Sequence, residues 1–414
     1  MKEDFLQQSV TVIGLGYIGL PTASLLATRG FQVHGVDVVP EVVETINRGD
    51  IHIVEPELDV LVRSAVQSGQ LRASTEPAPA DVFILAVPTP FDDNKTPDLS
   101  YVEAAARQMA EVLEPGNLVI LESTSPVGTT ERVAEWITNA RPDLADGKVY
   151  IAHCPERVLP GRIIQELVNN DRVVGGLNEA STAAATAFYR QFVSGEVLPT
   201  GARVAEMAKL TENTFRDVNI ALANELSIIC DGLGIDVWEL LQLANRHPRV
   251  NILMPGPGVG GHCIAVDPWF IVDSAPEHSR LIRVAREVND SKPDHVITQV
   301  RNRAARLRDP VIACLGLAYK ADVDDMRESP AMRITQTLAR EQVGRILAVE
   351  PYGRRGLPAE LMELGVEHVA IEQALEEADV LVMLVAHRHF RRLPRAPLQQ
   401  KMVVDACGLL SLLQ

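Results

Sequence analysis

Cysteine, aromatic residues and sustained apolar stretches are all scarce in this chain, and each scarcity excludes something. The five cysteines among 414 residues, Cys154, Cys230, Cys263, Cys314 and Cys407, form no CxxC pair and show no metal-ligand spacing. A disulfide scaffold and a metal site are therefore not expected. Aromatic residues make up 4 % of the chain, too few for base-stacking modules. No run of about 18 apolar residues occurs, so no membrane-spanning helix is expected. The opening MKEDFLQQSVTVIGLG lacks a basic region followed by an apolar run and a cleavage site, so it does not read as a signal peptide. Basic residues are in deficit: 39 Lys and Arg face 55 Asp and Glu, a net charge of −16. That balance disfavours a nucleic-acid or anionic-membrane surface but leaves room for a local basic pocket. The expectation is a reduced, cytoplasmic, soluble protein of two to three domains at about 150 residues each.

What is present is a repeated alternation of apolar and helical segments. Val10–Ile13, Gln32–Val36, Asp81–Val87, Leu118–Glu122 and Val149–His153 are strand candidates separated by amphipathic stretches. Continuously apolar strands alternating with helices predict a parallel sheet covered on both faces. The pattern returns near the end of the chain. Val311-Ile-Ala-Cys-Leu-Gly316-Leu-Ala-Tyr319 echoes the first strand and its glycines, and the run from Ala378 to Val385 echoes that from Ala80 to Val87. The region from about 200 to 300 reads as helical, with Met207, Leu210, Thr214, Val218, Ala221 and Leu222 as a buried stripe. Lys209, Asn213 and Arg216 step along the other face, where the plain expectation is a solvated surface. The fold class is thus α/β: two Rossmann-like, doubly wound domains joined by a central helical domain. The boundaries are drawn at 1–198, 199–300 and 301–414.

Gly14-Leu-Gly16-Tyr17-Ile18-Gly19 follows an apolar strand, opens a helix and is followed by Asp37 at the end of the next strand. An acidic residue about 20 positions after such a turn completes a dinucleotide fingerprint. Gly14 permits the tight turn, Gly16 lets the pyrophosphate approach the backbone, and Gly19 lets the helix pack on the strand. The helix N-terminus supplies amide donors and a favourable dipole. Asp37 accepts hydrogen bonds from ribose hydroxyls and repels a 2′-phosphate, so NAD is preferred over NADP. The C-terminal echo has Ala318 in place of Gly16, and a second dinucleotide is not assigned.

The segment Asn251-Ile-Leu-Met-Pro-Gly256-Pro-Gly258-Val-Gly260-Gly261-His-Cys263-Ile-Ala-Val-Asp267 places a cysteine among four glycines. Such a loop leaves a thiol accessible, whereas Cys314 and Cys230 lie in apolar or helical runs and read as inert. An NAD enzyme needs a thiol when it oxidises one carbon twice. Addition of a thiolate to the aldehyde rebuilds a tetrahedral carbon that releases a second hydride and leaves a thioester for water. A Lys ammonium and an Asn amide stabilise the oxyanions; Lys209 and Asn213 are the candidates.

These residues bring a family into view. VIGLGYIGLP, VPTPF, ESTSPVGTT, CPERVLPG, AEMAKLTENTFRDVNIALANE, NRHPRVNILMPGPGVGGHCIAVDPWF and GLAYKADVDDMRESP together resemble the UDP-glucose/GDP-mannose dehydrogenase family, the nucleotide-sugar 6-dehydrogenases, over nearly the whole chain. The resemblance implies Cys263 as nucleophile, Lys209 as acid/base or oxyanion partner, and Asn213 and Asp267 as assisting groups. It implies Tyr17, Ile18, Asp37, Thr89, Thr124 and Arg327 at NAD, beside Gly14, Gly16 and Gly19. It implies Arg157, Val158, Lys209, Asn213, Arg216, Gly260, Tyr319 and Lys320 at a UDP-sugar. His247 and Arg249 would reach the substrate of a neighbouring subunit in a homodimer. On this basis the Lys209 stripe reads as a site wall. CPERVLPGR and GVGGHCIAVDPWF look most like members acting on UDP-N-acetyl-D-mannosamine, whose C6 would be oxidised to the uronate. Pro160 stands where the UDP-glucose enzymes usually carry Glu, and Cys407 where members tend to have a basic residue. The alternatives are the same chemistry on UDP-N-acetylglucosamine or UDP-glucose and, from another class, a non-catalytic UDP-sugar binding protein.

Overall fold

A computed structural model describes residues 8–92, 95–261, 263–353 and 356–413. The first seven residues, part of the opening read above as no signal peptide, lie outside that set. Contacts divide the chain into two compact units, residues 1–212 with 269–276, and residues 213–268 with 277–414.

In the first unit, eight strands are ordered β3-β2-β1-β4-β5-β6-β7-β8. They are β1 (Ser9–Ile13), β2 (Gln32–Val36), β3 (Leu71–Ser74), β4 (Val82–Leu85), β5 (Leu118–Leu121), β6 (Tyr150–His153), β7 (Arg172–Gly176) and β8 (Val197–Gly201). All neighbours are parallel except β6 and β7. Every residue of β4 and β5 is buried, as expected where helices cover both faces. Alternation divides the side chains between two cores. Val10, Val12, Ile84 and Ile120 face one side, and Ile13, Phe83, Leu85, Val119 and Leu121 face the other.

The second unit holds an all-parallel sheet ordered β11-β10-β9-β12-β13. Its strands are β9 (Val311–Leu315), β10 (Arg345–Val349), β11 (Glu367–His368), β12 (Val380–Met383) and β13 (Met402–Asp405). The echo seen in the sequence is architectural. Asp81 accepts a hydrogen bond from the Ser9 amide at 2.8 Å, tying β4 to the start of β1. Asp379 does the same to the Val311 amide at 2.9 Å, tying β12 to β9.

The helical region comprises Ala202–Leu233, Val237–Ala244, Asp267–Ser274 and Arg280–Ala304. The expected buried stripe is partly wrong. Met207 and Leu222 are exposed, and among the residues buried with Leu210, Thr214 and Ala221 are Asn213, Asp217 and Asn224. The cause is polar pairing between helices. Asp217 accepts from Arg286 at 2.5 Å and from Asn289 at 2.8 Å. Asn224 donates to Asn289 at 2.9 Å. Buried polar groups with matched partners are tolerated where lone ones are not, so the burial face follows the hydrogen bonds rather than the hydrophobic period. Among the described residues, no helix is long and apolar enough to cross a membrane.

Candidate active site

The glycine turn after β1 has the geometry that its sequence predicts. Gly14 has φ +89°, and a Cβ there would lie 2.5 Å from Ala86 O. A Cβ at Gly19 would overlap Gly14 O, so helix Gly19–Thr28 packs on the strand only without one. At Gly16 a Cβ would meet nothing within 4 Å, so the space beside its backbone is open. Tyr17 is exposed and Ile18 half-buried beside it. Asp37 Oδ2 accepts from the Leu15 amide at 3.0 Å and Oδ1 from Val39 at 3.0 Å. Its carboxylate is half-buried at the strand end. The turn, the open glycine and the acidic strand end fit NAD.

Thr89 and Thr124 follow β4 and β5, and the Thr89 hydroxyl donates to Thr124 O at 2.6 Å. Glu206 fixes the loop after β5, accepting from the amides of Gly128 and Thr130 at 2.6 and 2.8 Å. Beyond β6, Arg157 forks onto Glu212, with Nη2 at 2.7 Å, and donates to Asp171 O at 3.1 Å. Val158 packs against the core of the first unit. Lys209 is half-buried.

Sequence reasoning missed a buried network under this segment. Glu156 Oε2 lies 3.0 Å from Arg172 Nη1, and Glu156 Oε1 accepts from the Arg157 amide at 2.6 Å. Tyr189 donates to Glu122 at 2.7 Å. Burial and the nearby Glu156 carboxylate raise the Glu122 carboxyl to about 7, against the opposing pull of Arg172 and Tyr189. Burial likewise pushes the Cys154 thiol up to about 12, which removes it as a nucleophile. The available signal was positional: Glu122 directly follows a fully apolar strand and Glu156 comes soon after another, largely buried one, where a charge needs a buried partner.

In the second unit the structure brings together three of the predicted catalytic residues. Asn213 Nδ2 donates to Asp267 Oδ2 at 2.5 Å. The Asp267 amide donates to Cys263 O at 2.9 Å. Asp267 and Asn213 are buried, while Cys263 is exposed. Cys230 and Cys314 are buried, and burial raises the Cys314 thiol to about 11. Cys407, half-buried beside Asp405, is raised well above its usual value by burial and that carboxylate.

Two of the glycines before Cys263 are required by the chain's own packing. A Cβ at Gly260 would strike Glu328 O, and one at Gly261, φ +84°, would lie 3.0 Å from the Tyr319 ring. Tyr319 and Lys320 are half-buried, with Lys320 Nζ 5.4 Å from the Tyr319 ring centroid. Arg327 pairs with Asp325 at 2.7 Å and, with Val259, lines a cavity of about 580 Å³. Arg216, His247 and Arg249 are exposed. The segment bearing His247 and Arg249 is pinned by asparagines: Asn245 bonds both polar groups of Ile252 at 2.8 and 2.9 Å, and Asn219 accepts from Leu253 at 2.8 Å.

Comparison with known proteins gives this geometry a family. The chain matches the UDP-glucose/GDP-mannose dehydrogenase family in three consecutive parts: its NAD binding domain over residues 8–193, its central domain over 203–291 and its UDP binding domain over 313–411. An NDP-N-acetyl-D-galactosaminuronic acid dehydrogenase of Ralstonia nicotianae is 58 % identical over 98 % of this chain and 96 % of the relative. A UDP-N-acetyl-D-mannosamine dehydrogenase of Salmonella typhi is 55 % identical over 97 % of this chain and 99 % of the relative. The solved UDP-D-ManNAc dehydrogenase of Pyrococcus horikoshii superposes with a TM-score of 0.87 at 40 % identity, covering 97 % of this chain and 96 % of that one. The chain belongs to the UDP-glucose/GDP-mannose dehydrogenase family and is an NAD-dependent nucleotide-sugar dehydrogenase.

Proposed function

We propose that the protein oxidises the C6 hydroxymethyl of UDP-N-acetyl-D-mannosamine to a carboxylate, two hydrides leaving C6 in succession. The observation that carries this reading is the exposed Cys263, whose backbone carbonyl accepts from Asp267, itself paired with the buried Asn213. NAD, when bound, accepts each hydride. Lys209 takes the C6 hydroxyl proton in the first oxidation. The Cys263 thiolate then adds to the aldehyde carbon, and Lys209 and the Asn213 amide stabilise the oxyanion of the resulting thiohemiacetal. Loss of the second hydride leaves a Cys263 thioester. Water attacks its carbonyl, positioned by Asp267 through Asn213, and the C–S bond breaks to release the carboxylate and the thiolate.

In this reading Gly14, Gly16, Tyr17, Ile18, Gly19, Asp37, Thr89, Thr124 and Arg327 serve NAD. The nucleotide sugar is held by Arg157, Val158, Arg216, Gly260, Tyr319 and Lys320. The three-part division at 1–198, 199–300 and 301–414 separates the NAD, connecting and UDP-sugar functions, and the enzyme works in the cytoplasm. Exposed Phe215, Leu222, Ile229 and Leu233 along one helix support a homodimer in which His247 and Arg249 serve the neighbouring site.

The test is a panel of UDP-sugars assayed for NADH per sugar, with the unaltered protein and Cys263→Ala. Two NADH per UDP-N-acetyl-D-mannosamine are expected, with no acid formed by the variant. Unchanged turnover by Cys263→Ala overturns the mechanism. A second reading, in which the product is an N-acetylgalactosaminuronate, is favoured by the name of the 58 % identical Ralstonia relative; preference for the galacto sugar in the same panel would select it.

A further inference from the structure

The echo between the two α/β domains places Glu350 at the end of β10, the position that Asp37 holds at the end of β2. Glu350 is 4 % exposed and is turned inward. Its Oε2 accepts from the amides of Leu317 and Ala318 at 2.7 and 3.1 Å, and Oε1 accepts from Tyr352 at 2.9 Å. The carboxylate therefore secures the beginning of the loop after β9.

The end of that loop is secured by a residue that motif reading passed over. His387 is fully buried. Its Nδ1 accepts from the Asp322 amide at 2.9 Å, and its Nε2 lies 3.3 Å from Glu350 Oε2. An Nδ1 that accepts carries a lone pair, so the hydrogen-bond pattern assigns the ring proton to Nε2, facing Glu350. Tyr352 lies over the ring at 5.0 Å and Phe390 meets it edge-on at 5.6 Å. The Asp322 carboxylate is held outward by Arg388 at 2.7 Å. Between the two ties stand Tyr319 and Lys320. The Tyr319 amide donates to Asp325 O at 3.0 Å, and its ring lies under Gly261, two residues before Cys263.

We propose that His387, acting with Glu350, is a positioning residue: it clamps loop 317–322 in the one shape that presents Tyr319 and Lys320 to the nucleotide diphosphate. The inference rests on the assignment of those two residues to the UDP-sugar. His387 touches no substrate; it acts by fixing the backbone that carries those residues. A preorganised loop binds without the cost of ordering itself, so loosening loop 317–322 weakens nucleotide affinity while the glycine turn of the other domain is untouched.

The experiment uses the full chain and UDP alone as probe. His387→Leu is expected to weaken UDP binding about tenfold, equivalent to about 1.4 kcal/mol. It should also speed hydrogen exchange at the Asp322 amide and leave NAD affinity as it was. His387→Asn, whose Oδ1 is able to accept from that amide, should recover most of the UDP affinity. UDP binding by His387→Leu equal to the unaltered protein overturns the proposal, as does a His387→Asn variant as weak as His387→Leu. Absence of UDP binding by the unaltered protein overturns the substrate assignment itself, and this inference with it. If His387→Leu does not fold, Glu350→Gln carries the comparison. It keeps the side-chain shape but turns an N–H toward amides that need an acceptor. Weakened UDP binding supports the clamp, and undiminished binding overturns it.

Discussion

The first and last α/β domains share one backbone plan and use it in opposite ways. Gly14 and Gly316 both turn with positive φ, at +89° and +83°, and Asp81 and Asp379 tie equivalent strand starts. After the glycine the two diverge. The first domain enters its helix at Gly19, so amide donors and the helix dipole face whatever lies above Gly16. The last delays its helix until Pro330 and fills the interval with a loop carrying Tyr319, Lys320 and Arg327. Gly16 is exposed, whereas Ala318 is 1 % exposed. Both strand-end carboxylates accept from loop amides, but Asp37 is half-buried, whereas Glu350 is 4 % exposed and takes the Ala318 amide as well. In the proposed reading, one scaffold receives its ligand on the backbone and the other offers side chains. Function lies in the strand-end loops rather than in the fold.

The largest expected effect tests the open side of this contrast. Gly16→Ala places a methyl group where nothing in the chain meets it, so the melting temperature should hold. NAD affinity should fall about 100-fold, equivalent to about 2.7 kcal/mol. Titration of NAD together with a melting curve separates the two effects. A variant that melts early but binds NAD normally would mean that Gly16 serves packing instead.

The two domains also differ in how they bury a carboxylate, and pH exposes the difference. Burial raises Glu350, but His387 and the amides of Leu317 and Tyr352 outweigh it, leaving the carboxyl below its usual value. In Glu122, burial and the Glu156 carboxylate prevail and the value reaches about 7. A raised carboxyl binds its proton more tightly in the folded chain. Its stabilising contribution is therefore complete below about pH 4.5 and is lost as pH rises toward 7. The depressed Glu350 works in the other direction, losing its contribution as pH falls through its folded value. Glu122→Gln mimics the protonated acid and keeps an acceptor for Tyr189. It should remove a decline on the order of 2 kcal/mol between pH 4.5 and 7, measured by urea unfolding across that range. The same slope in both proteins would dismiss Glu122 as its source.

How much of this was legible in the sequence follows from where the signals are local. Strands such as Val82–Leu85 and Val380–Met383 announce themselves because each residue is apolar, and Gly14 to Gly19 with Asp37 form a pattern of fixed spacing. The Cys263 loop was legible as accessible, but the partners of its glycines were not. Glu328 and Tyr319 lie far along the chain, and no spacing rule pairs them with Gly260 and Gly261. The stripe on helix Ala202–Leu233 was misjudged for a related reason. Asp217 and Asn224 look like solvent-facing residues until Arg286 and Asn289 arrive from another helix. His387 had no motif at all, since its meaning depends on two segments, at 317–322 and at 350, that only the folded sheet places around it.

The smallest expected effect asks whether the last domain could be returned to the first domain's use. Ala318→Gly restores the spacing of Gly14 and Gly16 at Gly316 and position 318, and a sequence reading alone would then assign a second dinucleotide. The structure argues otherwise. The position is buried, its amide is bound by Glu350 at 3.1 Å, and no helix begins at the turn to offer amide donors. The substitution should therefore add backbone freedom to the unfolded chain, lowering stability by about 0.5–1 kcal/mol, without creating a site. Calorimetric titration should return one NAD per chain before and after. Two would mean that the methyl group alone, rather than the inward carboxylate and the displaced helix, separates the two domains.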